Sequence, residues 1–159
     1  MYFKSDLASG HRIDDLKLLV SSAAGTAIDF STGTDMEVGG SGGGNTGGGQ
    51  EPDATAIYHN TYDKEAATKT YGSGSSWPYL DQFDGWMNAV GTGAENVTYA
   101  YKGISARNNS NSNGEHSNYA GSGVNNIFFG KDAYFATRNI ALGGTTNLTL
   151  TFGTEKYSS

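Results

Sequence analysis

Acidic side chains in two separate segments could bind a metal ion. Asp14 and Asp15 are adjacent, so on a strand they would point to opposite faces and could not act together on one substrate bond. This argues against a paired-carboxylate hydrolase. Calcium suits hard oxygen ligands from distant segments and would pin one strand to another. The candidate ligands are Asp14, Asp15, Asn60, Asp63 and Glu65, and the alternative is that the two aspartates are solvated or paired with Arg12 or Lys17.

Aromatic residues are dense in residues 76–86 (SWPYLDQFDGW). Sugar recognition uses flat aromatic faces for C–H stacking, with carboxylates or amides beside them to bind hydroxyl groups. Phe83 and Trp86 are expected in the core, because large aromatics dominate the cores of small β domains, and the same alternative stays open for Trp77. The candidate carbohydrate-binding residues are Trp77, Tyr79, Asp81, Gln82 and Asp84.

Composition excludes several classes of chemistry. The 159 residues contain no cysteine, so disulfides, thiolate metal sites and a cysteine nucleophile are impossible. The ten Lys and Arg residues are scattered along the chain and are outnumbered by 16 Asp and Glu residues. Both features argue against a nucleic-acid partner. The three histidines lack the spacing of a zinc helix, no phosphate-binding loop is present, and no apolar run is long enough to span a membrane. We therefore predict no catalytic residues.

The elements that must position these residues are strands. Residues 56–58, 97–101, 103–107, 126–129, 133–137 and 147–152 are rich in β-branched and aromatic residues and are separated by glycine or asparagine. Residues 63–70 alone have helical composition, over a length that is marginal for a helix. In the N-terminal segment, residues 12–20 predict a strand with a break near the two aspartates, with a short helix as the competing interpretation.

Eight glycines in residues 39–49 divide the chain into two pieces. Such a segment buries nothing that could offset the entropy of ordering it, so it predicts a flexible linker. The predicted organisation is a strand region over residues 1–33, a linker over residues 34–55 and a β-sandwich over residues 56–159.

Four motifs together resemble a known family. They are IDDLK (residues 13–17), FDGW (83–86), VNNIFFG (124–130) and LTLTFG (148–153). The chain resembles the jelly-roll β-sandwich modules of Bacteroidetes cell-surface proteins, which are similar to carbohydrate-binding modules and choice-of-anchor domains. In that pattern an IDDLK-like strand closes the module, whereas here it precedes the opening element. The resemblance therefore implies the end of one tandem repeat followed by the start of the next.

The sequence thus predicts an all-β, jelly-roll-like antiparallel β-sandwich that is incomplete or completed by an added strand. The expected function is non-catalytic carbohydrate binding on a bacterial cell surface. The alternatives are a structural or adhesion repeat and an accessory module of a larger surface enzyme. Because the segment of about thirty-five residues that follows residue 20 has a root-mean-square reach of roughly 30 Å, residues 12–20 could pair within the chain or exchange with a second copy. Within-chain pairing is favoured, and it predicts that Ile13, Leu16 and Leu18 are buried.

Overall fold

The computed structural model describes residues 1–5, 10–21, 53–70, 76–108 and 123–156, and these form one six-stranded antiparallel sheet. The predicted all-β fold class is confirmed. The glycine-rich residues 39–49 and residues 109–122 lie outside the described residues. The strands are β1 (Tyr2–Ser5), β2 (His11–Val20), β3 (Tyr58–Asn60), β4 (Thr98–Asn108), β5 (Asn125–Arg138) and β6 (Leu148–Lys156).

Strand β5 is the centre of the sheet. Strand β4 pairs with it along one side over nearly its whole length. On the other side, β1 pairs with the second half of β5 and the start of β2 pairs with the first half. The N-terminal segments therefore lie end to end along one strand of the C-terminal piece.

Strand β2 changes its neighbour partway along. On one side of β2, residues 11–13 pair with β5 and residues 16–18 pair with β3. On the other side, β6 pairs with both halves of β2. The change falls at Asp15, which has φ +48°. Asp14 pairs with Gly153 and Lys17 with Thr151, so β2 has one more residue than β6 between these two pairs. This is a β-bulge, and it accounts for the break predicted near the two aspartates.

The bulge keeps apolar residues of β2 on the core side. Ile13, Leu16 and Leu18 are 4%, 0% and 6% exposed, which follows from inserting one extra residue between Ile13 and Leu16. The predicted burial of these three residues is confirmed, and β2 pairs within its own chain. The domain boundaries at residues 33 and 55 stay predictions.

Two pairs of predicted strands are in fact two long strands. The predicted segments 97–101 and 103–107 are both part of β4, and the predicted segments 126–129 and 133–137 are both part of β5. Lys102 pairs with Tyr134 and Ile104 with Phe129, so one residue of β4 lies opposite four residues of β5. The pairing is interrupted there. Gly103 has φ +64° there, a conformation that glycine adopts without steric cost.

One segment of helical composition does not form a helix. Residues 63–70, which have helical composition, form turns and irregular backbone. The segment is fixed by tertiary contacts instead: the side-chain oxygen Oδ1 of Asn125 accepts the Ala67 N–H at 2.8 Å, and its Nδ2 donates to the Tyr62 and Glu65 carbonyls at 2.7 Å each. These bonds satisfy backbone groups that a helix would have paired internally.

Candidate functional site

The aromatic loop of residues 76–86 lies along the free side of β4. Its Leu80 N–H donates to the Ile104 carbonyl at 3.3 Å, and the Ala106 N–H donates to the Pro78 carbonyl at 3.0 Å. Tyr79 and Ser105 form the bridge between these bonds. The loop is thus held as a short extra strand against half of the β4 edge.

Bonds inside the loop fix its shape. The Gln82 N–H donates to the Tyr79 carbonyl at 2.9 Å, and the Gln82 side-chain oxygen accepts the Tyr79 N–H at 3.1 Å. The indole N–H of Trp86 donates to the Leu80 carbonyl at 3.2 Å. A 3₁₀ turn over Asp84–Trp86 ends the loop. These bonds are made within the loop itself, so they fix its backbone.

Some side chains of the loop are buried in the core and others are exposed. Leu80, Phe83 and Trp86 are at most 5% exposed and belong to the core, so the predicted burial of Phe83 and Trp86 is confirmed. Tyr79 is 55% exposed. The exposed polar members of the predicted carbohydrate site are Asp81, Gln82 and Asp84.

Trp77 is less available than Tyr79. It is half-buried and packs against the core, and the ammonium group of Lys69 lies 5.3 Å from its ring centroid. A cation at this distance over an aromatic ring is a favourable contact. Part of the Trp77 surface is therefore already covered by protein.

Tyr101 joins this group and was missed from the sequence. The pKa of its hydroxyl is raised, mainly by burial and further by the carboxylates of Asp81 and Asp84. Its ring packs edge-on against Trp86 at 6.1 Å. The signal was present in the alternation of residues 98–101 (TYAY), which puts Tyr99 and Tyr101 on the same face of a strand.

The five predicted calcium ligands do not form one cluster. No group of three or more His, Cys, Asp or Glu side chains suited to a metal occurs among the described residues. Asp63 accepts the Asn125 N–H at 2.8 Å, the Asn60 side-chain oxygen accepts the Tyr62 N–H at 3.0 Å, and the Glu65 side chain is exposed. Asp14 is fully buried and accepts the Asp15 N–H at 2.8 Å. The calcium site stays a prediction.

Asp15 has a partner of another kind, the imidazole of His59. The Nε2 atom of His59 contacts the Asp15 carboxylate, and its Nδ1 accepts the Asp53 N–H at 2.6 Å. An Nδ1 that accepts a hydrogen bond leaves the proton on Nε2, so a neutral imidazole donates to Asp15. Since both ring nitrogens are engaged by protein groups, His59 is not placed to act as a general base.

The same contacts join residue 53 to β2. Lys17 lies 3.9 Å from the Asp53 carboxylate. Hydrogen bonds from the Thr55 hydroxyl and N–H lower the pKa of Asp53 most, and the charge of Lys17 lowers it further. These polar contacts fix the chain where it enters β3.

A second polar group is buried inside the sheet. The hydroxyls of Tyr58 and Tyr99 lie 3.2 Å apart, and burial raises the pKa of each. Burial also raises the pKa of Tyr62, whose hydroxyl has no hydrogen-bond partner within the described part of the chain. The three phenols are therefore neutral parts of the core at neutral pH.

Comparisons with family models, with curated proteins and with solved structures find no match to this chain. Among the described residues no helix is long and apolar enough to cross a membrane.

Proposed function

We propose that this chain is a non-catalytic carbohydrate-binding module that recognises an uncharged glycan through the loop of residues 76–86. Tyr79 provides the stacking surface, and Asp81, Gln82 and Asp84 accept hydrogen bonds from sugar hydroxyls. Trp77 and Tyr101 border the site. A jelly-roll-type module exposed on a bacterial cell surface is the setting that the family resemblance suggests.

The observation that carries the proposal is the exposure of Tyr79 on a loop with a fixed shape. An aromatic ring that is 55% exposed gains nothing from the core, yet the backbone on both sides of it is hydrogen-bonded. A backbone that is already fixed loses little conformational entropy on binding, which favours affinity. An uncharged glycan is favoured because Asp81 and Asp84 would repel an anion.

The test is affinity gel electrophoresis on a panel of neutral polysaccharides. Tyr79→Ala is expected to weaken retention roughly tenfold, as the loss of one aromatic stacking contact predicts. The double variant Asp81→Asn, Asp84→Asn is expected to weaken it as well. Leu142→Ala removes another exposed apolar side chain, outside the loop, and is the matched control.

Retention that is equal for Tyr79→Ala and Leu142→Ala would contradict the proposal. Circular dichroism of each variant checks that the fold is intact, which is expected because both side chains are exposed.

A structural or adhesion role is the second candidate, and the position of β2 favours it. This strand lies between β6 on one side and β5 and β3 on the other, and it is separated in sequence from β3 by residues 21–57. A strand so placed could be exchanged between copies. The structural role predicts dimers or fibres in size-exclusion chromatography and no retention on any glycan.

A further inference from the structure

The outer face of β1, β5 and β4 carries a row of aligned cationic and aromatic side chains. Tyr134 of β5 is directly opposite Lys102 of β4 on one side and Lys4 of β1 on the other. Side chains that face each other across neighbouring strands have Cβ atoms about 5 Å apart. Since neighbouring strands are spaced by about 4.8 Å, the backbones of the two lysines are about 10 Å apart, and the tyrosine lies between them.

Burial shows which face this is. Phe135, which precedes Ala136 and follows Tyr134, is fully buried in the core. Tyr134 and Ala136 therefore point to the opposite side of the sheet, and with them their direct partners in the register. Tyr2 and Ala100 are the partners of Ala136 in the next row.

Two aromatic rings cover this face. Tyr2 is 59% exposed and stacks on Tyr134 with ring centroids 5.8 Å apart and an interplanar angle of 24°. The neighbouring positions, Ala100 and Ala136, carry small side chains. The result is a stacked tyrosine pair in which Tyr2 is exposed and Tyr134 is partly buried, with Ala136 buried beside it.

The charge of the face is opposite to that of the whole molecule. Lys4, Lys102 and Arg138 are exposed here, and they are three of ten Lys and Arg residues in a chain of net charge -6. Arg138 lies in the third row, opposite Thr98. The three rows contain no carboxylate, and Asp132 lies in the adjoining bulge. We name Tyr2, Lys4, Lys102, Tyr134 and Arg138 the cationic tyrosine face.

We propose that the cationic tyrosine face binds a carboxylated polysaccharide, a polyuronate, and is a second site separate from the loop of residues 76–86. A sugar ring stacks on the exposed tyrosine surface. The carboxylate of a uronic acid is bonded directly to a ring carbon, so it extends sideways toward Lys102 when the ring lies over the Tyr2–Tyr134 pair. Lys102 beside Tyr134 and Arg138 in the third row are exposed, and together they can bind successive carboxylates of one chain.

A polyuronate fits the face better than a nucleic acid does. Both ligands present flat rings and negative charge, and single-stranded nucleic acids also stack on aromatics. Nucleic-acid binding, however, draws its affinity from neutralising many phosphates, and this protein offers three cations on the face against a net negative charge. Singly charged carboxylates on a stacked chain need fewer cations.

The experiment measures retention of the full chain in gels containing alginate, a polyuronate, with uncharged dextran and dextran sulfate as comparison matrices. We expect retention on alginate that decreases as salt is raised. Tyr2→Ala is expected to weaken it roughly tenfold and Tyr2→Phe to preserve it, because the ring alone is needed for stacking. Lys102→Gln is expected to weaken it up to about fivefold, the range of an exposed charge contact.

Lys64→Gln is the control for net charge, because it removes the same charge from an exposed lysine that is not part of the face. It is expected to leave retention on alginate unchanged. Tyr79→Ala is the control for the first site and is also expected to retain alginate binding. The failure of this proposal is therefore distinguishable from the failure of the neutral-glycan proposal.

Four outcomes would overturn the proposal. They are absence of alginate binding, equal weakening by Lys102→Gln and Lys64→Gln, binding to dextran sulfate alone, and tighter binding to an oligothymidylate that the same variants weaken. The last outcome would instead identify a single-stranded nucleic-acid site. All substitutions are at exposed positions, so unchanged melting curves will show that lost retention is not lost folding.

Discussion

Asp15 is a single residue with two structural roles. Its φ of +48° lies in the left-handed region, which is uncommon outside glycine but is tolerated by aspartate and asparagine. Its carboxylate contacts the buried imidazole of His59. The same side chain thus stabilises the bulge of β2 and the connection to β3.

Substitutions at Asp15 separate these two roles. Asp15→Gly keeps the backbone conformation and leaves the His59 N–H without an acceptor, at a cost of about 1–3 kcal/mol. Asp15→Ala adds the steric cost of about 1–2 kcal/mol for a left-handed alanine. Asp15→Asn keeps the conformation and an acceptor oxygen, so it should destabilise least. Urea denaturation measures the three free energies of unfolding.

Asp132 is the control, because it has φ +55° and is exposed. Asp132→Ala should cost only the backbone part, and Asp132→Gly should cost little or nothing. An Asp15→Gly variant as stable as the native protein would show that the contact with His59 adds no stability.

Individual roles could be predicted from the sequence where residue type decides them. Phe83 and Trp86 are buried because large rings fill the core of a small β domain, whereas Tyr79, four residues before Phe83, is exposed. The partner of Asp15 could not be predicted. It depends on a bulge that places the carboxylate beside His59, a residue 44 positions away in the chain.

At the scale of elements, β2 depends on both of its neighbours. Its core residues contact strands from the C-terminal piece, and Leu16 is completely buried opposite Asn60 of β3. An isolated strand of this length has no stable structure in water, so its order comes from these pairings.

Leu16→Ala should therefore destabilise the whole domain by about 2–5 kcal/mol, the usual cost of a cavity in a core. Leu16→Asp should unfold it, because a carboxylate would be buried without a partner. Val20→Ala, in the same strand at 64% exposure, is the control and should change stability by less than about 0.5 kcal/mol. Thermal melts followed by circular dichroism give the comparison, and a Leu16→Ala melt that matches Val20→Ala would contradict it.

Strand patterns in the sequence located most of the elements but not their continuity. The gap predicted between residues 101 and 103 coincides with the irregular pairing at Gly103, so the local signal was real. A bulge interrupts the alternation of side chains as a loop would, and the sequence does not distinguish the two. Residues 63–70 have helical composition but form no helix, because bonds from Asn125, distant in sequence, fix their backbone.

For the whole molecule, the buried phenols make stability depend on alkaline pH. Burial raises the folded-state pKa of Tyr58, Tyr62 and Tyr99 above the unfolded value of about 10. Below that value both states are protonated and stability is constant. Above it only the unfolded state loses protons, so the free energy of unfolding falls by up to about 1.4 kcal/mol per pH unit for each phenol.

The measurement is urea denaturation between pH 8 and pH 11. Tyr62→Phe removes one such phenol together with a hydroxyl that has no hydrogen-bond partner in the described part of the chain, so it should flatten the alkaline decline at little cost at pH 8. Tyr2→Phe, at an exposed position, is the control. An alkaline decline that is equally steep in both variants would contradict the prediction.

The pairing of β2 with β6 also determines when this protein can fold. Asp14 is opposite Gly153, so one side of an early strand is completed by residues synthesised about 140 positions later. Contacts between distant residues slow folding. During translation, Ile13, Leu16 and Leu18 therefore stay exposed until β6 emerges from the ribosome. In that interval chaperones and other nascent chains can bind them.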